Sequence, residues 1–245
     1  MTQLELIAVE GLPEVRPGDD LGTLISSRSA LKAGDIVVVA QKVVSKSEGR
    51  LISLQTVTAS EEAVRIASNL IAQPDPRMVQ VVLDESVRVL RSHRVLITET
   101  RQGFVCANSG VDHSNIPGDD VVTLLPTDPD GSADRLRRSL RELAGVEVGV
   151  IVSDTFGRPW RLGIVNVALG VAGLPALVDL RGTVDDAGKP LHATVLAVAD
   201  EIAAAAGLVM GKTARTPAVI VRGLQMKGSG RGRDLGRPAA EDLFR

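Results

Sequence analysis

Tyrosine is absent from these 245 residues, and the other aromatics are one tryptophan and three phenylalanines, Trp160, Phe104, Phe156 and Phe244. A protein that stacked many bases would carry more, so single-stranded nucleic acid is a poor match as a partner. Cysteine is nearly absent too. Cys106 alone excludes an intramolecular disulfide framework and a cysteine-based zinc site, and its place in an apolar run suits a small buried hydrophobe better than a nucleophile. The three histidines, His93, His113 and His192, show no HxxxH or HxH spacing, which argues against an imidazole-held transition metal. No uninterrupted apolar run reaches the roughly 20 residues that span a bilayer. The start, MTQLELIAVEG, lacks the basic segment of a signal peptide, so no membrane is expected and cytoplasm is the default compartment. Charge of one sign is missing as well. A net charge of −2 gives nucleic acid no electrostatic footprint, so any phosphate binding has to be local.

What is present is an ordinary globular composition, 44% hydrophobic and 24% charged, enough for one large core or two small ones. The stretch Val148–Arg161, VGVIVSDTFGRPWR, stands out. An apolar, β-branched run reads as a buried strand and gives way to Asp154, Thr155, Gly157, Arg158 and Arg161. Hard cations take oxygen ligands and phosphates take guanidinium or ammonium groups, and this segment offers both. Ser109–Asn115, SGVDHSN, has the same character and puts Asp112 and Asn115 in a glycine-containing turn after another apolar strand. The expectation is that Asp112 meets Asp154 and Thr155 at the end of a sheet. A helix cap, or an ion pair to Arg158, is the alternative role for Asp154.

Along the chain, Leu4–Val9 alternates as a strand, Gly11–Glu14 turns, and Asp19 or Asp20 caps a helix carrying Leu21, Leu24 and Ile25. Ile36–Ala40 is an apolar strand leading to Lys42 and Lys46, which are either phosphate ligands or solvated surface lysines. Ser60 to Leu90 reads as two helices broken at Pro74-Asp75-Pro76. Val95–Thr98 and Phe104–Ala107 form a hairpin, Val121–Leu125 a short strand, and Pro126–Ser132 a loop ending in a helix cap. Leu136, Leu140 and Leu143 recur at helical spacing up to Gly145, with Arg135, Arg137, Arg138 and Arg141 on the outer side. A helix from about Val195 to Val209 ends at Gly211, and Ala218–Val221 is the last strand. Residues 226–245, rich in glycine and arginine, read as a flexible tail. Helices and strands do not alternate strictly, so the fold class expected is α+β, with mixed and antiparallel sheets flanked by helices.

Two familiar motifs fail on inspection. Gly211-Lys212-Thr213 ends like a Walker A loop, but the position five residues before Gly211 is Ala206 inside an alanine-rich run, not a loop glycine. No GxGxxG follows a strand, so a Rossmann cofactor is not indicated.

Taken together, EGLPEVRPGDDL, VVVAQKVVSKSEGR, SGVDHSN, LPTDPDGSADRLRRSL, GVIVSDTFGRPWR, VADEIAAAAGLVMGK and TPAVIVRG resemble the GTP-dependent coenzyme F420-0:L-glutamate ligase family, in the family's order from Leu4 to Gly223. The likeness is greatest to the actinobacterial bifunctional form, in which a flavin-binding reductase-like domain follows; the chain is then either a stand-alone ligase or a ligase domain. The resemblance implies a ligase-type fold of two interleaved subdomains over residues 1–225, with 226–245 as the tail. It implies a homodimer with the site in a groove between subunits. It assigns Mg²⁺ or Mn²⁺ to Asp112, Asp154 and Thr155, and GTP to Gly11, Leu12, Pro13, Glu14, Gln41, Lys46, Asn115 and the loop around Gly211, with K⁺ as a further ion. Its substrates would be GTP, L-glutamate and F420-0 or dehydro-F420-0, joined by a γ-glutamyl amide bond through an acyl phosphate. Lys46, Arg158 and Arg161 are the candidates for charge on the transferring phosphoryl group. Two departures stand out: Gln41 replaces the family's usual serine, and Lys212 replaces a glutamate that binds a second metal in archaeal members. The alternatives are a nucleotide-binding homologue without catalysis, or a ligase for a related phospholactate-type acceptor.

Overall fold

The computed structural model describes residues 3–114, 120–211 and 214–242. In chain order its strands and helices are β1 (Glu5–Ala8), α1 (Leu21–Ser26), β2 (Ile36–Ala40), α2 (Gln41–Ser47), β3 (Leu51–Ser53), α3 (Glu61–Asn69), α4 (Pro76–Asp84), β4 (Ser86–His93), β5 (Val95–Thr100) and β6 (Val105–Ala107). There follow β7 (Val121–Thr123), α5 (Pro129–Ala144), β8 (Gly149–Arg158), β9 (Arg161–Ala172), β10 (Val178–Asp179), β11 (Val195–Leu196), α6 (Val198–Met210) and β12 (Ala218–Arg222). The fold is α+β, as expected.

A five-stranded sheet in the order β1-β12-β2-β8-β9 forms the centre, with only β2 and β8 parallel. Both its faces are covered, which is why β2 and β8 read as unbroken apolar runs rather than alternating ones. Val37, Val39, Val150 and Val152 face α1 and α5, while Ile36, Val38 and Ile151 face α6. Alanines on α6 let it lie close on the second face. Asp35, buried at the start of β2, is held by two bonds from Arg222, at 2.8 Å from Nε and 2.7 Å from Nη2. A bidentate guanidinium satisfies that carboxylate, without which its burial would be costly.

Residues between α2 and α5 build a second core of their own, from Leu54 through Ile66, Val82 and Leu96 to Leu124. The helices α3 and α4 cover the antiparallel sheet β4-β5-β6 and the pair β3-β7.

Several boundaries differ from the sequence expectation. The helix expected to run to Leu90 stops at Asp84, and residues from Ser86 pair with β5, with register shifts between Ser86 and Arg88 and between Val89 and Arg91. The antiparallel pairing with β5, rather than a buried face, makes this stretch a strand, since Val87 and Val89 stay exposed. Helix α5 begins at Pro129 rather than after Ser132, because Asp128 caps it from the position before a proline at N1. Strand β8 does not end at Val152 but continues through Asp154 and Thr155 to Arg158, since β9 supplies a partner along its whole length.

The segment from residue 226, expected to be a flexible tail, packs against the body over its described part. Met226 and Leu235 join the α6-side core, and Gly230 N donates to Leu174 O at 3.0 Å. The glycines that made it read as flexible are what allow this contact. A Cβ at Gly230 or Gly232 would fall about 2 Å from backbone atoms of Ala176 or Leu169. Among the described residues no helix is long and apolar enough to cross a membrane.

Candidate active site at the end of the central sheet

At the end of β2 the chain enters α2 directly, so Gln41, Lys42 and Lys46 follow the parallel pair β2-β8 without a loop. Lys46 is 6% exposed and its Nζ lies 2.5 Å from Oε1 of Glu14, in the turn after β1. That contact brings Gly11–Glu14 and Lys46 together. Gly11 sits at φ +71, a left-handed conformation that suits glycine, and Arg28 Nε donates to its carbonyl at 2.8 Å. The solvated-surface alternative for the two lysines is wrong for both. Lys42 Nζ makes an ion pair with Oδ2 of Asp112 at 2.6 Å and also donates to Ser114 O.

Asp112 is presented by unusual backbone. Asn108, Ser109 and Gly110 are three successive left-handed residues, at φ 54, 52 and 69. For non-glycine residues this conformation is costly and persists only where the surroundings enforce it. A buried hydroxyl cluster enforces it: Ser109 Oγ lies 2.7 Å from Thr98 Oγ1 and 2.8 Å from Ser86 Oγ, and Ser109 N donates to Thr98 Oγ1. Gly110 is required for space as well, since a Cβ there would lie 2.6 Å from Leu125. The turn delivers Asp112 to an isolated bridge with Thr123. Its carboxylate then accepts Ser114 N at 2.8 Å and Ser114 Oγ at 3.0 Å. Burial pushes the Asp112 carboxyl up, but the bonds from Lys42 and Ser114 outweigh it and hold the group below the usual carboxylate range.

Asp154 and Thr155 lie on β8 opposite Val167 and Asn166, beginning one residue past Ser153, the register partner of Ala40. The chain of contacts from Asp112 to Lys42, and from Ala40 to Ser153, brings both acidic positions to the same end of the sheet. Cys106, on β6, reports the same neighbourhood. Burial first, and then the charge of Asp154, pushes its thiol up to about 12, so it is a buried thiol and not a nucleophile.

Arg158 and Arg161 do not join this cluster within one chain. They face each other at the tip of the β8–β9 arm, four residues and so roughly 13 Å along the strand from Asp154. Arg158 Nη2 donates to Leu162 O at 3.1 Å. Around them the tip exposes Trp160 and Leu162, at 81% and 99%. Gly211 caps α6 at φ 56. Asn115, Lys212 and Thr213 lie outside the described residues.

Sequence reasoning missed Ser153. Its hydroxyl and the Nε2 of Gln41 are buried side-chain atoms without a hydrogen-bond partner among the described residues. An unpaired buried donor costs about 1–3 kcal/mol, so two of them beside this sheet end mark places where a bound group would be welcome. The only signal for Ser153 was a polar residue closing an apolar strand. Ser86, Thr98 and Asn166 were missed too, because nothing local distinguishes them.

No group of three or more histidine, cysteine, aspartate or glutamate side chains is gathered as a metal centre among the described residues. The donors on hand are carboxylates and hydroxyls, which suit a hard divalent cation completed by phosphate or water oxygens. That Asp112 already holds an ammonium at 2.6 Å fits a carboxylate that receives a cation.

Comparison with known proteins gives a consistent result. The sequence model of the family F420-0:Gamma-glutamyl ligase matches residues 11–223. A protein of Methanothermobacter thermautotrophicus named coenzyme F420:L-glutamate ligase is 47% identical over 252 residues, covering 99% of each chain. Proteins of the same name from Methanopyrus kandleri and Methanocaldococcus jannaschii are 46% and 42% identical; the first covers 100% of both chains, the second 99% of this chain and 97% of its own.

Proposed function

The chain belongs to the F420-0:Gamma-glutamyl ligase family, and from that premise we propose that it ligates L-glutamate to a coenzyme F420-type acceptor, F420-0 or its dehydro form, at the expense of GTP. The observation that carries the reading is 47% identity across 99% of both chains to a protein of that named activity.

A carboxylate is a poor acyl donor. Transfer of the GTP γ-phosphoryl group to the acceptor's side-chain carboxylate turns that oxygen into part of a phosphate leaving group. Attack by the glutamate amine then forms the amide C–N bond as the C–O bond breaks and phosphate departs, taking up the proton the amine loses. The transition state of phosphoryl transfer asks for positioning and charge rather than covalent help. Lys46, buried beside Glu14, is suited to exchange that carboxylate for a nucleotide phosphate, and Gln41 Nε2 offers an unspent donor nearby. Asp112, Asp154 and Thr155 would hold Mg²⁺ or Mn²⁺, which supplies charge neutralisation on the phosphates.

The same reading makes the protein a homodimer. The arm tip exposes Trp160 and Leu162 and places Arg158 and Arg161 away from their own Lys46. A second copy seated on the tip would bury the apolar residues and receive the arginines at its own nucleotide.

The test is to incubate the purified chain with GTP, Mg²⁺ or Mn²⁺, L-glutamate and F420-0 and to follow GDP and product mass. Glutamylated product and matching GDP are expected, and Asp154→Ala should abolish both while leaving a folded protein. GDP release without any glutamylated species, or full activity in the variant, would refute the reading.

A further inference from the structure

A cleft of about 320 Å³ opens between the turn after β5, the loop before α5, β9 and the C-terminal segment. It lies within the size range of small-molecule sites, and Gln102, Phe104, Thr127, Asp128, Asp130 and Arg233 are among the residues lining it. None of these entered the nucleotide site. One aromatic contact nonetheless connects the cleft with the strand that carries Asp154. The ring of Phe104 packs edge-on against Phe156, centroids 6.4 Å apart. Phe156 lies two residues beyond Asp154 on β8, on the same side of the strand and about 7 Å along it.

Arg233 is held in a way that leaves part of its guanidinium free. Asp130, buried at 4%, accepts Val171 N at 2.9 Å, Gly232 N at 2.6 Å, and both N and Nε of Arg233 at 3.4 and 3.3 Å. Three backbone donors thus meet most of the demand of that carboxylate, and the arginine's Nε edge is anchored. Nη2 stands 4.0 Å from Asp128, while Nη1 meets no acceptor among the described residues, and the side chain is 69% exposed. Asp128, paired loosely with that Nη2 through Oδ1, also gives Oδ1 to the cap of α5 and keeps Oδ2 for a ligand, and Thr127 adds a hydroxyl.

Resting on the ligase reading above, we propose that this cleft is the subsite for the incoming amino acid, with Arg233 pairing with a carboxylate of L-glutamate and Asp128 facing its amino group, which attacks once it has lost its proton. A guanidinium and a carboxylate side by side in a loose 4.0 Å ion pair are complementary to a zwitterion rather than to a polyphosphate. The Phe104–Phe156 contact links this cleft toward the Asp154 corner, Phe156 lying about 7 Å along β8 from Asp154. Asp130 is a positioning residue that acts through Arg233.

The experiment measures L-glutamate binding by calorimetry in the presence of GDP and Mg²⁺, together with steady-state ligation, for the wild type, R233Q, R233K and D128N. R233Q should weaken glutamate binding and raise its KM by roughly 10- to 100-fold, the scale of a charged hydrogen bond, while GDP affinity and the KM for GTP stay unchanged. R233K should recover part of the loss, and D128N, which keeps a cap acceptor for Gly131, should also weaken glutamate. If R233Q bound glutamate as the wild type does, the inference would be overturned although the wild type's glutamylated product kept the ligase reading. A raised KM for the acceptor alone would overturn it too, assigning the cleft to the acceptor's anion. A wild type that neither binds nor ligates glutamate would sink both.

Discussion

Lys42 Nζ lies 2.6 Å from Oδ2 of Asp112, so a residue on the helix after β2 supplies the positive charge at a carboxylate we propose as a metal ligand. The ammonium and a divalent ion would compete for one oxygen. Replacing lysine by an uncharged side chain should therefore tighten metal binding in the absence of nucleotide. For Lys42→Gln we expect a several-fold lower Kd for Mn²⁺, read by electron paramagnetic resonance, together with a higher KM for GTP. Weaker Mn²⁺ binding would mean that Lys42 does not oppose the ion.

The left-handed turn before Asp112 gives a stability test. Gly110→Ala would put a Cβ 2.6 Å from Leu125 at φ +69, combining overpacking with an unfavourable backbone. A loss of about 1–3 kcal/mol is expected from the packing conflict. Urea unfolding measures it, and truncating Leu125 in the same chain should restore part of the difference. An unchanged midpoint would remove the steric account of this glycine.

Asp200 offers a pH-linked prediction. Burial raises its carboxyl above the ordinary carboxylate range, only partly countered by the bond from Ala168 N at 2.8 Å. The folded state therefore binds the proton more tightly than the unfolded one, and stability falls as pH rises from 3.8 through the raised value. Asp200→Asn keeps an acceptor for Ala168 and removes the charge. Its Tm should exceed that of the wild type at pH 7, with the gap closing as pH drops toward 4. A lower Tm at pH 7 would show that the charge is stabilising.

The exposed arm tip predicts an assembly. Leu162, 99% exposed, should be buried by a second copy, so Leu162→Glu is expected to shift the mass measured by light scattering from dimer to monomer and to reduce ligation. Far-UV circular dichroism should stay unchanged, because the side chain supports nothing within its own chain. A monomeric wild type would remove the basis for arginines donated between copies.

Much of the fold was legible because its causes are local. Asp20 and Ser60 cap helices at the positions their side chains dictate, Gly145 closes α5 in a left-handed conformation, and β2 and β12 read as apolar runs because both faces of their sheet are covered. The candidate residues at the sheet end were legible as chemistry, since oxygen ligands and lysines at strand ends are local patterns, and the family resemblance joined them.

The sequence by itself determined where most elements begin, which residues carry oxygen ligands and positive charge at strand ends, and which family the chain resembles. Tertiary structure alone decided that β8 runs on past Asp154, because its partner β9 lies in a later segment, and that Ser86, Thr98 and Ser109 share one hydroxyl cluster. It also decided that glycines 228, 230 and 232 dock a segment instead of loosening it, and that Asp130 holds Arg233 over a cleft. Those outcomes depend on pairings beyond the reach of local pattern, whose energies exist only once the backbone has brought the partners within contact.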